Sequence, residues 1–201
     1  MLEPESTVNG TTMDNTTATR LRRLNARIPV ALEREDASLA KRLRKPRIST
    51  LEGLEMLYAF LDRYLAHVVK GLTACQKGCA YCCHSQVAVS KLEAEYIASK
   101  TGRALLKSPN QAMVSEQYCD PVKPCPFVDS VDMSCAIYSY RPLLCRTHIS
   151  FETDNAKCRF DSDGSKITLL DRRNTWPGAM QAYSELVSRH GGTWGDIREY
   201  F

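Results

Sequence analysis

Four cysteines, Cys75, Cys79, Cys82 and Cys83, fall within nine residues at separations of four, three and one, and His84 follows directly. Thiolates so closely spaced let a single loop wrap a metal ion or cluster, because closing a short chelate loop costs little chain entropy. Four more, Cys125, Cys135, Cys145 and Cys158, are spread at intervals of ten, ten and thirteen residues. They are too far apart to make a knuckle alone, but suited to folding back onto the first cluster so that metal staples two segments together. For any one cysteine a buried, inert thiol is the ordinary alternative. That alternative does not explain four thiols in one short polar segment, whereas for the ninth, Cys119, both readings stand open.

The donor set restricts the metal. Zinc takes four tetrahedral nitrogen or sulfur ligands, and eight thiolates divide into two closed sites of four. A 4Fe-4S cubane also takes four thiolates, leaving four for a zinc site, a second cluster or the core. The sequence admits both divisions. Adjacent side chains diverge, so Cys82 and Cys83 serve two centres, or one ligates while the other packs. Pro126 after Cys125 matches the bacterial ferredoxin arrangement and leans towards iron. His84 and His148 can replace a thiolate or donate hydrogen bonds near one, with an ordinary surface or packing role as the alternative for each. His67, inside a helical pattern, and His190, at a helix end, read as structural.

These residues need elements to position them. Ser49-Thr50-Leu51-Glu52 has the form of a capping box, and behind it Leu54, Leu57, Tyr58, Leu61, Leu65, Val68 and Leu72 recur at helical spacing, with Gly71 as a stop. This amphipathic helix delivers the chain into the first cysteines. Gln86 to Val89 reads as extended, and Ser90-Lys91-Leu92-Glu93 is a second capping box opening a helix that Thr101-Gly102 ends. A short helix is expected around Gln111 to Gln117, then loops as far as Leu144, with a helix start at Arg141-Pro142-Leu143-Leu144. Pro177 and the run Ala179, Met180, Tyr183, Leu186 and Val187 predict a last helix closed by Gly191-Gly192. Strand signals are few, so the expected fold is mainly α, with irregular cysteine-rich loops stapled by metal and small β content at most.

Composition sets the boundaries. With 201 residues, 43% apolar and 25% charged, the chain suits one globular domain. No apolar run is long enough to span a membrane, and the N-terminus lacks the apolar segment of a secretory signal. The expected compartment is therefore the cytoplasm, where metal or redox use of cysteines prevails over a disulfide framework. Residues 1–19, rich in Thr and Asn, are expected as a disordered tail, and residues 20–201 as a single helical domain with a metal-binding core at 73–160. Between Arg20 and Arg47, ten Arg or Lys against Glu33, Glu35 and Asp36 give a net +7, more than the +4 of the whole chain. A nucleic-acid or protein partner can bind such a segment, but a solvated helix face is the commoner role, and no aromatic platform is interleaved with it.

The ordered pattern resembles a known family. Cys-x3-Cys-x2-Cys-Cys, then Val-Ala-Val-Ser, Pro-Cys-Pro-Phe-Val-Asp, Cys-Ala-Ile-Tyr, Arg-Pro-Leu-Leu-Cys-Arg-Thr-His and a last Cys are similar to the YkgJ-type cysteine-cluster family, over Cys75 to Cys158. That family is described as a zinc- or iron-chelating domain, and its flagellin lysine methylase relatives carry a similar cysteine set with an iron-sulfur cluster. The resemblance implies that Cys75, Cys79, Cys82, Cys83, Cys125, Cys135, Cys145 and Cys158 are the metal ligands. Cys119 has no counterpart in the pattern.

The resulting expectation is a protein that binds zinc or iron, the iron case taking the form of a 4Fe-4S cluster, with a metal ion as its partner and no membrane. A metal- or cluster-dependent enzyme, protein-modifying or redox, is the alternative. A binding module using the basic N-terminal helix is the second, with nucleic acid the weaker choice of partner. The radical SAM spacing in Cys75-x3-Cys79-x-Tyr81-Cys82 is disfavoured, since those enzymes need a large barrel and only 118 residues follow Cys83, without alternating strands and helices. A thiolate beside Arg146 or Lys77 would have a lowered pKa, and catalysis otherwise finds no motif. Cys79→Ser and Cys145→Ser are each expected to lower metal content while Cys119→Ser leaves it unchanged. Elemental analysis of protein purified without oxygen reads this, and equal loss in all three would contradict it.

Overall fold

Serine hydroxyls and prolines fix where the helices begin. In the computed structural model, which describes residues 7–8, 11–12, 15–106, 123–129, 131–159 and 167–201, Ser49 Oγ accepts the Glu52 N–H at the start of α3 (Thr50–Tyr64). Ser90 and Glu93 form a full reciprocal capping box at the start of α4 (Lys91–Thr101). Gly102 ends α4 at φ +69°, a left-handed conformation that suits a residue without Cβ. α3 runs on through one π-helical turn, Leu65–Val69, before Gly71 at φ +74° turns the chain towards the first cysteines.

Upstream lie α1 (Asn15–Arg27) and α2 (Val30–Leu43). Further on come α5 (Leu143–Thr147), α6 (Arg172–Thr175), α7 (Pro177–Arg189) and α8 (Ile197–Tyr200). Strands are minor: β1 (Thr7–Val8) pairs with β2 (Thr11–Thr12), and β3 (Ala88–Ser90) pairs antiparallel with β4 (Trp194–Asp196), Val89 opposite Gly195. The fold is mainly α with little β, as the sequence predicts.

One expectation needs adjustment, and others fall where the structure describes nothing. The helix expected at Gln111–Gln117 and the thiol of Cys119 lie outside the described residues. So does much of the segment 1–19, but α1 already begins at Asn15, inside the expected tail. Downstream anchors account for that: Leu24 is 1% exposed, and Arg20 donates to the carbonyls of Leu72, Phe151 and Glu152. Once Arg20 is held, extending the helix one turn upstream adds a backbone bond per residue with no new nucleus.

The core is a layer of α2, α3 and α7 around Leu39, Leu54, Phe60, Tyr64, Trp176 and Leu186. α2 and α7 approach closely because position 178 is glycine: a Cβ there would lie 1.9 Å from the Asp36 carbonyl oxygen. The buried Asp36 carboxylate accepts the N–H groups of Gly178 and Ala179, both at 2.8 Å, so a side chain of α2 caps the start of α7. Burial raises the Asp36 pKa, and these two N–H groups offset part of that rise.

A second buried carboxylate joins more of the molecule. Glu93 is 1% exposed and accepts five donors: the hydroxyls of Tyr58 (2.7 Å) and Tyr183 (2.5 Å), the N–H and hydroxyl of Ser90 (2.9 and 3.0 Å), and the N–H of Leu143 (2.7 Å). One side chain thus ties α3, the start of α4, the start of α5 and α7. Five donors and no acceptor suit an ionised carboxylate, and burial with this charge drives the pKa of both tyrosines well above the usual value. Glu93→Ala leaves those donors unsatisfied in the core, and a loss of about 3 kcal/mol or more in denaturant unfolding is expected. A shift within about 0.5 kcal/mol, the range of an ordinary surface change, would contradict this role.

Candidate metal centre

The eight cysteines of the resemblance are all described, and all are free thiols. They fall into two neighbourhoods. Cys75, Cys79, Cys82 and Cys158 line one cavity of about 460 Å³, together with His148, Ser150 and Tyr81. Cys83, Cys125, Cys135 and Cys145 form the other: Cys125 and Cys145 raise the charging cost of Cys83, Cys135 raises that of Cys125, and Cys125 is 7% exposed. Cys82 adjoins both, which follows from its place beside Cys83 in a 3₁₀ turn, Tyr81–His84, that splays successive side chains.

Local turns aim backbone donors at the sulfurs. The N–H two residues on faces the thiol at Cys79 (from Tyr81), Cys125 (from Phe127) and Cys135 (from Ile137). Ser150 N–H reaches Cys75 Sγ at 3.3 Å, and Cys75 N–H is held by Thr73 Oγ1 at 2.9 Å. Such N–H···S contacts stabilise a thiolate and tune a metal bound to it. Among the described residues no three His, Cys, Asp or Glu side chains converge closely enough to hold an ion as they stand. The two quartets are therefore neighbourhoods of donors whose side chains must still turn inward to ligate. The donor chemistry, four thiols in each with preset backbone donors, fits zinc or an iron-sulfur cluster.

Electrostatics separates the thiols. Burial raises Cys79, Cys125, Cys135, Cys145 and Cys158 above the ordinary thiol value, to about 11 for Cys125 and Cys158. Cys82 moves the other way, to about 7, because the Cys83 thiol donates to its sulfur and Arg141 lies near; Cys83 is correspondingly raised. Cys82 opens to solvent through the cavity although protein crowds it on most sides. His148 is held neutral by burial and by the charge of Arg172, and its ring joins the cavity wall.

The nearby cation differs from the one expected. Arg146 points away from the thiols into the core, donating to Asp62 Oδ1 and to the carbonyls of Ser139 (2.6 Å) and Arg141 (2.9 Å), and lying 4.1 Å over the Tyr58 ring. Its neighbour Arg141 stacks 4.1 Å over Tyr138 and lowers the cost of charge at Cys82, Cys135 and Cys145. Helical geometry explains the switch: Arg146 follows Cys145 within α5 and faces α3, whereas Arg141 lies in the loop before the helix.

Sequence reasoning missed several supports. Arg198 Nη2 donates to the carbonyls of Cys83 and Ser85, both at 3.1 Å, and its Nε to that of Lys123 at 2.7 Å. The Asp196–Glu199 capping box that sets α8, and with it Arg198, was the available local signal. Cys125 N–H donates to the Cys83 carbonyl at 2.7 Å, so the two cysteine segments are joined by backbone as well as by proximity. His190 bridges Thr50 and Glu95, both at 2.9 Å, and His67 contacts the Arg63 carbonyl at 3.0 Å, which accords with structural roles for both.

A cysteine-rich chelating segment set into a helical frame is the class that this arrangement defines. Residues 74–162 match the model of the CxxCxxCC family, described as "Putative zinc- or iron-chelating domain", the family that the cysteine pattern resembles. No match was found among curated proteins or solved structures. In the metal-free full chain, Cys82 is expected to be the first thiol alkylated by iodoacetamide, its rate rising as pH passes about 7 while Cys83 and Cys145 lag. Peptide mass mapping after partial labelling gives the order, and uniform labelling would contradict it.

Proposed function

We propose that the protein binds two metal centres through its eight cysteines, Cys75, Cys79, Cys82 and Cys158 holding one and Cys83, Cys125, Cys135 and Cys145 the other. The observation that supports this reading is that Cys75, Cys79, Cys82 and Cys158 line one cavity, while Cys125 and Cys145 neighbour Cys83 and Cys135 neighbours Cys125. Each set matches the donor number of a zinc site or of a 4Fe-4S cluster. The match to a zinc- or iron-chelating family supports metal binding as the property of this segment. When bound, a metal would add cross-links between the irregular stretches 73–80 and 131–142, so that ligation and ordering of these loops are linked. Deprotonation of the raised thiols accompanies it, so affinity falls as the pH is lowered.

The residues themselves orient rather than react. Ser150 and the N–H groups of Tyr81, Phe127 and Ile137 present hydrogen bonds to sulfur, and Arg141 and Arg198 offset negative charge around the buried set. We infer that residues 20–201 act as one unit in a reducing compartment such as the cytoplasm, since Arg20 and Arg198, both outside the matched segment, hold its loops. An enzymatic role would need a coordination position open to substrate, and the cavity beside Cys82 is where such a position would lie.

The deciding measurement is elemental analysis with visible absorption on protein purified without oxygen. Two zinc ions per chain in a colourless sample, or iron with acid-labile sulfide in a brown one, is expected. Protein that retains no metal and takes up none on reconstitution would overturn the reading.

A further inference from the structure

The two sets of thiols differ in access, and we propose that the cavity set is an exchangeable centre that admits a small thiol as an outside ligand, whereas the buried set is a fixed one. This rests on the two-centre reading. Cys82 is the solvent-exposed member of its set, at the wall of a cavity of about 460 Å³ that is large enough for a ligand of amino-acid size. Among the described residues no thiol of the second set is exposed as Cys82 is: Cys125 is 7% exposed, Phe127 packs edge-on against Phe201 at 4.9 Å, and Arg198 clamps the Cys83 and Ser85 carbonyls.

The chemistry is ligand substitution without redox change. With a metal held there, an incoming thiol would form a metal–sulfur bond as the bond to Cys82 Sγ broke, its proton passing to the released Cys82 sulfur. Thiols are the favoured class because a thiolate-bound zinc or iron prefers soft donors. Cys82 is the ligand released, since solvent and a small molecule reach it through the cavity.

The test loads the full chain with cobalt(II), whose visible bands report thiolate ligation, and follows removal by EDTA at rising concentrations of free cysteine. Two bound ions are expected to leave in two phases of equal amplitude, separated by about tenfold or more, as solvent access to a site dictates. Only the fast phase should accelerate with cysteine. Cys82→Ser should lose the fast phase and keep the slow one, and Ile167→Trp, which adds bulk to the cavity wall, should slow the fast phase alone. A single phase from two ions, a fast phase indifferent to cysteine, or a fast phase that survives in Cys82→Ser would overturn this proposal while leaving two-centre binding intact. Fewer than two ions per chain would overturn both.

Discussion

The Glu93 carboxylate is the constraint on which the arrangement turns. It is an anion in a helical core, and it stays there because five donors from four parts of the chain converge on it. One of those donors is the first N–H of α5, a helix too short to hold its own direction, and α5 carries Cys145. The same helix is fixed at its other side by Arg146, whose guanidinium lies over Tyr58, itself a Glu93 donor. Tyr58 therefore stands between a buried anion and a buried cation, and the orientation of Cys145 follows from polar contacts that apolar packing alone would not specify.

Charge elsewhere is spent in the same manner. The +7 segment between Arg20 and Arg47 suggests a surface for an acidic partner, but several of its cations are engaged within the fold. Arg20 holds three carbonyls, Arg27 the Lys70 carbonyl, and Arg42 and Arg44 pair with Glu35 and Glu185. Two of these anchors border the cysteine region: Leu72 and Lys70 lead into Cys75, and Phe151 and Glu152 follow the strand-like stretch that carries His148 and Ser150. The basic segment is thus in part a clasp on the loops of the cavity, which weakens its reading as a nucleic-acid surface. It also explains why residues outside the matched segment matter to it.

What the sequence discloses depends on the range over which each signal acts. Ser90 with Glu93, Pro142, Pro177 and the glycines at 71, 102, 191 and 192 mark helix ends through contacts of a few residues, and those boundaries are legible. The clustering of Cys75 to Cys83 is legible for the same reason. Glu93 is half legible: its capping bond to Ser90 is local, but its tyrosine partners lie 35 and 90 residues away, so a cap that is ordinarily solvated gives no hint of burial. Arg198 and Arg20 are illegible as site residues because their targets are backbone carbonyls, which leave no trace in residue type. The adjacency of Cys82 and Cys83 does forecast two directions, yet which distant thiols each would meet is decided by how α5 and the Cys158 turn fold back.

That division has a physical consequence for the two sets. Four thiolates around a divalent ion carry a net charge of −2, which is costly to bury without compensation. Behind the cavity, Arg141 and Arg198 stand close enough to favour charge on the sulfurs. Around the cavity His148 and Arg159 stand in the wall, and Glu152, paired with Lys157, raises the cost of charge at Cys158. There Arg141 reaches Cys82 alone, and the rest of the compensation comes from water at Cys82 and from the backbone N–H groups at Cys75 and Cys79. Solvation and enclosure are opposed remedies for the same charge, and a chain that places Cys82 and Cys83 side by side uses one on each side of a single peptide bond.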